Sequence, residues 1–201
     1  RLVSPIFQAL NGSNIQQRNS FLLNKQGEKV FSEKMTLKDN PHWIGMSGSR
    51  YFDGDGLATR PMDIIRNGKI ETFFINTYSA NKMGVAPTVE SASVPYFSLE
   101  EFEPGYRNLN YTDMIKIMGK GILVTGFNGG NCNGLTGDYS YGIEGFYFEN
   151  GEILFPVREM NISGNIVSLW QNLALVGNDA RNCSRWLIPS LAFENVDFTG
   201  I

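Results

Sequence analysis

The sequence predicts an α+β fold dominated by antiparallel sheet, and three observations carry that prediction. Strand-like runs outnumber helical ones, and the helical runs are short. Two Asn-Gly dipeptides, Asn67-Gly68 and Asn150-Gly151, each sit between strand-like runs, and Asn-Gly is the pair best suited to a two-residue type I′ hairpin turn. The chain has 201 residues, enough to bury a core within one domain spanning 1–201. The sheet is expected to be large, either open or curled toward a barrel.

The elements follow in chain order. Leu2 to Leu10 is an apolar segment closed by Asn11-Gly12, and so abrupt a start reads as the C-terminal piece of a longer protein. Ser20–Leu23 and Lys29–Phe31 read as short strands around a turn at Lys25-Gln26-Gly27. Asp39 to Gly56 is a long irregular stretch broken by Pro41 and four glycines. Met62–Arg66 and Lys69–Ile75 form the clearest hairpin. In its second arm Ile70, Thr72 and Phe74 alternate with Glu71, Phe73 and Ile75, which suggests cover on both faces.

Tyr78–Met83 reads as a helix ending at Gly84. A Pro- and Ser-rich connection runs from Ala86 to Gly105. Thr112 is placed to cap a helix over Asp113–Met118, with Gly119 past its end. Gly121–Phe127, Tyr139–Glu149 and Glu152–Val157 are strands. Ser163 is placed to cap a helix over Asn165–Leu173, in which Ile166, Leu169, Trp170 and Leu173 share a face. Trp186–Phe193 and Val196–Phe198 close the chain as strands.

Charge excludes some partners. Lys plus Arg is 17, Asp plus Glu is 20, and the net charge is −3. Nothing in that balance draws nucleic acid or an anionic membrane, and Arg18, Lys25, Lys29 and Lys34 read as a solvated face. No apolar run reaches the roughly 18–20 residues of a membrane span. Cys132 and Cys183 fit no zinc-knuckle or CxxC spacing and are expected as separate, reduced thiols.

Catalytic motifs are missing. His42 is the one histidine, and it cannot build a structural zinc site, which needs four ligands. The run Phe52-Asp-Gly-Asp-Gly56 invites a calcium loop, but counted from Asp53 the fifth, sixth and twelfth positions are Leu57, Ala58 and Ile64, so the pattern fails. A Gly-rich turn whose Asp side chains accept from nearby N–H groups explains it better. Phosphate loops, G-x-S-x-G and a supported Ser-His-Asp set are all absent.

The most informative stretch runs from Leu123 to Ile153. Asn128 to Gly137 carries four glycines and three asparagines, so it is read as a wide polar loop between strands, the kind of place where binding functions sit. Asn128, Asn131, Asp138, Tyr139 and Ser140 are the candidate peptide-binding residues. The loop is expected at the mouth of a groove, near a strand edge to which a peptide can add by main-chain pairing.

Eight segments in order carry a resemblance. They are Arg18–Asn24, Phe52–Arg60, Thr77–Gly84, Thr136–Gly142, Gly145–Ile153, Phe155–Val157, Ile162–Asn165 and Val176–Asp179. Together they resemble the C-terminal half of the PmbA/TldD family, once called modulators of DNA gyrase. Ser20-Phe-Leu-Leu23 and Thr136-Gly-Asp-Tyr-Ser140 resemble the PmbA (TldE) branch more closely. The resemblance implies an α+β C-terminal domain preceded by a separate α/β domain. It also implies a cytoplasmic setting and a heterodimer with a TldD-type subunit that acts on peptides.

In the TldD branch zinc is held by a helical histidine pair and a cysteine. This chain lacks the pair, and Asn182-Cys-Ser-Arg-Trp186 does not match the catalytic cysteine's context, so the metal role is not carried onto Cys183. The expectation is a non-catalytic PmbA-type subunit with no cofactor of its own, the zinc lying in the TldD-type partner. Two alternatives are an active peptidase whose metal site is completed by the absent N-terminal part, and a peptide- or sugar-binding module without an enzyme partner.

Overall fold

The computed structural model describes residues 1–200. The helices and strands, in order, are α1 (Ser4–Ala9), α2 (Gly12–Gln16), β1 (Leu37–Asp39), β2 (Met62–Arg66), β3 (Lys69–Ile70), α3 (Thr77–Met83), β4 (Pro95–Phe97), α4 (Tyr111–Met118), β5 (Lys120–Cys132), β6 (Asp138–Glu149), β7 (Glu152–Asn165), α5 (Ile166–Gln171), β8 (Leu173–Val176), β9 (Leu191–Phe193) and β10 (Phe198–Thr199). One four-stranded sheet has the order β3-β2-β1-β4, a second has the order β10-β7-β6-β5, and β8 pairs with β9. Every pairing between these strands is antiparallel, as the sequence predicts. Among the described residues the sheets are open, and none closes into a barrel.

Both Asn-Gly turns form as expected. Asn67 and Gly68 have φ of 48° and 76°, and Asn150 and Gly151 have 54° and 78°, the positive pair that a type I′ turn demands. At the first turn Gly68 is buried while Asn67 is exposed. Val30 and Phe31 both donate their backbone N–H to the Gly68 carbonyl, and Gly68 N–H donates to Met35 O. Lys29–Phe31 therefore wraps the turn as irregular chain instead of forming the expected strand, with only a single bridge from Lys29 to Lys69.

Ser20–Leu23 is likewise a series of turns. Ser20 Oγ donates to Ala9 O at 2.6 Å and accepts from Leu22 N–H at 3.0 Å, which anchors the bend and buries Leu22 completely. A short apolar run does not distinguish strand from buried turn, and here a serine hydroxyl decides.

The second arm of the first hairpin stops at Ile70. Glu71 and Thr72 both donate to Ile64 O, which ends the alternation, and Phe73, Phe74 and Ile75 are all buried. Phe74 then bridges Asn11 in parallel, pinning α1 and α2 to the sheet.

The two expected helix caps shift by two residues. For α4 the cap is Asn110, whose Oδ1 accepts from Thr112 N–H at 2.8 Å and Asp113 N–H at 3.2 Å, while Asp113 Oδ2 accepts from Asn110 N–H at 3.1 Å. This reciprocal box satisfies more donors than Thr112 can, and asparagine is the stronger cap. For α5 the cap is Asn165, and Ser163 lies in β7 opposite Ser140. The predicted face is right for Ile166, Leu169 and Trp170, all buried, while Leu173 belongs to β8.

Near the C-terminus, Leu187 makes one bridge to Tyr96, and Pro189 interrupts what the sequence suggests is a single strand. The core joins α1, the first sheet, α5 and the inner halves of β6 and β7, with Ile6, Leu37, Ile64, Ile65, Ile143 and Trp170 almost wholly buried. Among the described residues no helix is long and apolar enough to cross a membrane.

Candidate functional site

The Gly-rich stretch is shorter as a loop than the sequence suggests. Asn128–Cys132 continues β5, and only 133–137 turns between β5 and β6. The pairing with β6 slips between Asn128 and Asn131, where Gly129 and Gly130 adopt φ of 67° and 77°. A Cβ on Gly130 would lie 2.1 Å from Ser140 O, so this bulge requires glycine on both counts. The sequence signal for φ > 0 was sound, but it marked a bulge inside a strand and not a wide loop.

The turn itself is held by its own polar groups. Asn133 Oδ1 accepts from Leu135 N–H at 2.9 Å and Thr136 N–H at 3.3 Å, and Asn133 O accepts from Gly137 N–H at 2.8 Å. Gly134 O accepts from Phe21 N–H, which ties the turn to the Ser20–Leu23 bend.

Asp138 is the polar centre of the region. Its Oδ1 accepts from Asn165 Nδ2 at 2.9 Å and its Oδ2 from Thr136 Oγ at 2.7 Å. Those two donors, Asn165 first, hold the carboxyl below the usual carboxylate range. Asn165 also donates to Thr136 O at 2.9 Å, while its Oδ1 caps α5 through Val167 N–H at 3.0 Å. Thr136–Gly142 and Ile162–Asn165, far apart in sequence, thus meet in one cluster. Asn165 and Thr136 are the residues the sequence reading missed as partners. The Asn-then-apolar pattern of a helix cap was the available signal for Asn165.

The strand period separates the five candidates. Asp138 and Ser140 are on the exposed face of β6, whereas Tyr139 is buried and stacks on Tyr141 with ring centroids 5.6 Å apart. Burial pushes the Tyr139 phenol up, with a smaller contribution from Asp197. Asn128 and Asn131 flank the bulge in β5, and both are exposed. Among the described residues β5 pairs with no strand but β6, and at its other edge the Arg1 guanidinium donates to Gly129 O at 3.5 Å. A cleft of about 1640 Å³ is lined by Ile115, Leu123, Phe127, Phe148 and Leu191 among others, and by none of the five candidates.

The possible metal donors do not converge. His42 Nε2 lies 3.3 Å from Thr59 Oγ and its ring packs on Tyr51. Cys132 and Cys183 are separate thiols. Burial, with Asp138 adding to it, pushes the Cys132 thiol up. Among the described residues no three His, Cys, Asp or Glu side chains are placed to share an ion. The Asp-rich turn is also accounted for. Asp53 Oδ1 accepts from Asp55 and Leu57 N–H, and Asp55 Oδ2 accepts from Thr77 N–H and Oγ at the start of α3.

Comparison with known proteins places the chain. Residues 1–200 match the family model described as PmbA/TldA metallopeptidase C-terminal domain. The chain belongs to the PmbA/TldD family. It is 32% identical over 188 residues to metalloprotease PmbA of Escherichia coli O157:H7, covering 91% of this chain and 41% of that protein. A TldD metalloprotease homolog of Buchnera aphidicola is 26% identical over 186 residues, covering 88% of this chain and 38% of its own length. Among solved structures, a protein from Bacteroides thetaiotaomicron described as a modulator of DNA gyrase is 52% identical with a TM-score of 0.94, covering all of this chain and 44% of that one. TldE of Thermococcus kodakarensis is 26% identical with a TM-score of 0.83, covering 99% and 47%. The chain therefore spans less than half the length of these relatives. Among the described residues of this chain, no donor set fits the metal that the family name implies.

Proposed function

We propose that this chain is part of a PmbA (TldE)-like, non-catalytic subunit of a cytoplasmic TldD-type zinc metallopeptidase complex that degrades or processes peptides. The observation that carries the reading is the pairing of a match over residues 1–200 to a metallopeptidase domain with donors that, among the described residues, assemble no metal site. In this reading the zinc and the chemistry belong to a TldD-type subunit in a heterodimer. This subunit's part is to hold the extended peptide.

The edge of β5 away from β6, beside the Gly129-Gly130 bulge, suits that role. A peptide can pair there through its main chain, with Asn128, Asn131, Asp138 and Ser140 supplying amide, carboxylate and hydroxyl groups beside it and buried Tyr139 fixing the strand beneath. Backbone pairing gives affinity without strict sequence preference, as a complex handling varied peptides needs.

The test is co-expression of the full-length protein with the TldD-type subunit, followed by sizing, metal analysis and a peptide-cleavage assay. The heterodimer should cleave, with its zinc in the TldD-type chain. Replacing Asn128, Asn131 and Asp138 together by Ala should slow cleavage while pairing persists. Tyr139 is left in place because its removal would disturb the core. About one tightly bound zinc per full-length PmbA-type chain, with cleavage by that chain alone, would overturn the reading in favour of a catalytic subunit. Wild-type cleavage by the triple variant would remove the site assignment.

A further inference from the structure

Five Asn-Gly dipeptides occur in the chain: Asn11-Gly12, Asn67-Gly68, Asn128-Gly129, Asn133-Gly134 and Asn150-Gly151. Asparagine before glycine is the pair most open to succinimide chemistry, because no Cβ on the second residue hinders its backbone nitrogen. In that reaction the deprotonated glycine nitrogen bonds to Asn Cγ, the Cγ–Nδ2 bond breaks and ammonia leaves. Water then opens the ring at Cγ to give aspartate, or at the main-chain carbonyl to give β-linked isoaspartate. The net change is water in and ammonia out. The step needs a nitrogen that is not held as a hydrogen-bond donor and a side chain free to turn onto it.

The fold treats the five positions differently. Gly12 N–H donates to Phe74 O at 2.7 Å, and Asn11 Oδ1 caps α2 by accepting from Ser13 N–H at 2.9 Å. Gly68 N–H donates to Met35 O at 2.9 Å. Thr36 Oγ accepts from Asn67 N–H and donates to Asn67 Oδ1, both at 3.0 Å. Asn128 lies within β5, opposite Gly142. Asn133 Oδ1 is turned onto the N–H groups of Leu135 and Thr136. Asn150 has none of these restraints. It is exposed, and among the described residues its side chain has no hydrogen-bond partner and Gly151 N–H has no acceptor.

The two type I′ turns give the sharpest contrast, since their residues and φ angles match. Ring closure requires rotation about the asparagine Cα–C bond away from the turn geometry, so its rate follows the fraction of time the turn is open. Opening at Asn67 breaks the bonds to Val30, Phe31, Met35 and Thr36. Opening at Asn150 frays only the end of a hairpin, beyond the Glu149–Glu152 pair.

From this contrast we infer that Asn150 is a site of spontaneous deamidation, and that Asn67, in the same kind of turn, is kept inert by its hydrogen bonds. The product sets a carboxylate between Glu149 and Glu152. As isoaspartate it also adds one main-chain methylene to a two-residue turn. The modification therefore loosens the tip of the β6–β7 hairpin.

The test ages the full-length protein in mildly alkaline buffer and follows each Asn-Gly by peptide mass spectrometry, which reads a gain of about one mass unit per deamidation. Asn150 should convert at least about tenfold faster than Asn67, and faster than the other three asparagines. In denaturant the Asn67 and Asn150 rates should come within a few-fold of each other, because both turns are then open. Conversion of Asn150 no faster than that of Asn67 in the folded protein overturns the inference. So does a gap of about tenfold that persists in denaturant, since flanking residues and not hydrogen bonds would then set it.

Discussion

Asp63–Ile70 and Phe146–Ile153 are two hairpins of nearly the same local design. Each runs apolar residues into an Asn-Gly type I′ turn, then a charged residue and isoleucine. Their fates differ. Ile64, Ile65 and Ile70 are completely buried, whereas Phe146, Ile153 and Leu154 lie open. The turn is a local property set by positive φ at both central residues. Burial is conferred by neighbours: Phe31, Ser32 and Thr36 close on the turn of the first hairpin, whereas the turn of the second meets Lys116 of α4. The comparison teaches that one hairpin sequence can serve as core or as surface.

Substituting the two turn glycines should break the symmetry most sharply. A Cβ at Gly68 would meet Phe31 O at 2.1 Å in addition to the positive-φ strain, so Gly68→Ala should cost about 3 kcal/mol or more in a denaturant titration. At Gly151 a Cβ would lie 2.7 Å from Lys116 Cγ and 3.2 Å from its Cα, a contact with an exposed side chain that yields more readily than the Phe31 carbonyl, so Gly151→Ala should cost about 1–2 kcal/mol. Equal costs would refute the contrast.

Core truncation sharpens it further. Ile65→Ala should destabilise by about 2–5 kcal/mol, and Ile153→Ala by less than about 0.5 kcal/mol in the chain without a partner. A large loss at Ile153 would mean that the second hairpin is already covered within the chain.

Between the hairpins, Asn165 links β6 to α5. Asn165→Ala removes a helix cap and the donor to Asp138, and should cost about 1–2 kcal/mol by thermal or chemical unfolding. A smaller effect is expected from titration of Asp138. Its folded carboxyl is held low by Asn165 and Thr136, so its contribution is present above the ordinary carboxylate value of about 4 and is lost as pH falls through the depressed value. Asp138→Asn should flatten the stability profile in that acidic window, and an unchanged profile would show that the two bonds do not stabilise the ionised form.

The mildest test touches no fold energy. Cys183 is exposed, while Cys132 is half-buried with its thiol pushed up, so an alkylating reagent near pH 7.5 should label Cys183 first. Faster labelling at Cys132 would place the C-terminal end of β5 in more open surroundings than the pairing with β6 implies.

These contrasts mark how far the sequence could be read. Antiparallel sheet, both type I′ turns, α3 with its Gly84 end and the buried face of α5 follow from residue patterns, because φ preference and 3.6-residue spacing act within a few residues. The Asp53–Asp55 turn was also legible, since an aspartate beside glycines favours nearby N–H groups. The candidate site was half legible: glycines marked the bulge, and strand period alone puts Asp138 and Ser140 on the face opposite Tyr139.

The remainder belongs to long-range contacts. Lys29–Phe31 lost its strand because it wraps a turn some 40 positions along the chain, a partner that no local propensity encodes. Asp138 finds Asn165 only because β6 and β7 pair in one register. What the sequence determined by itself was local: which residues turn, cap and alternate. The tertiary structure decided which of two like hairpins is buried and which polar groups meet, because burial and pairing depend on atoms brought together from distant parts of the chain.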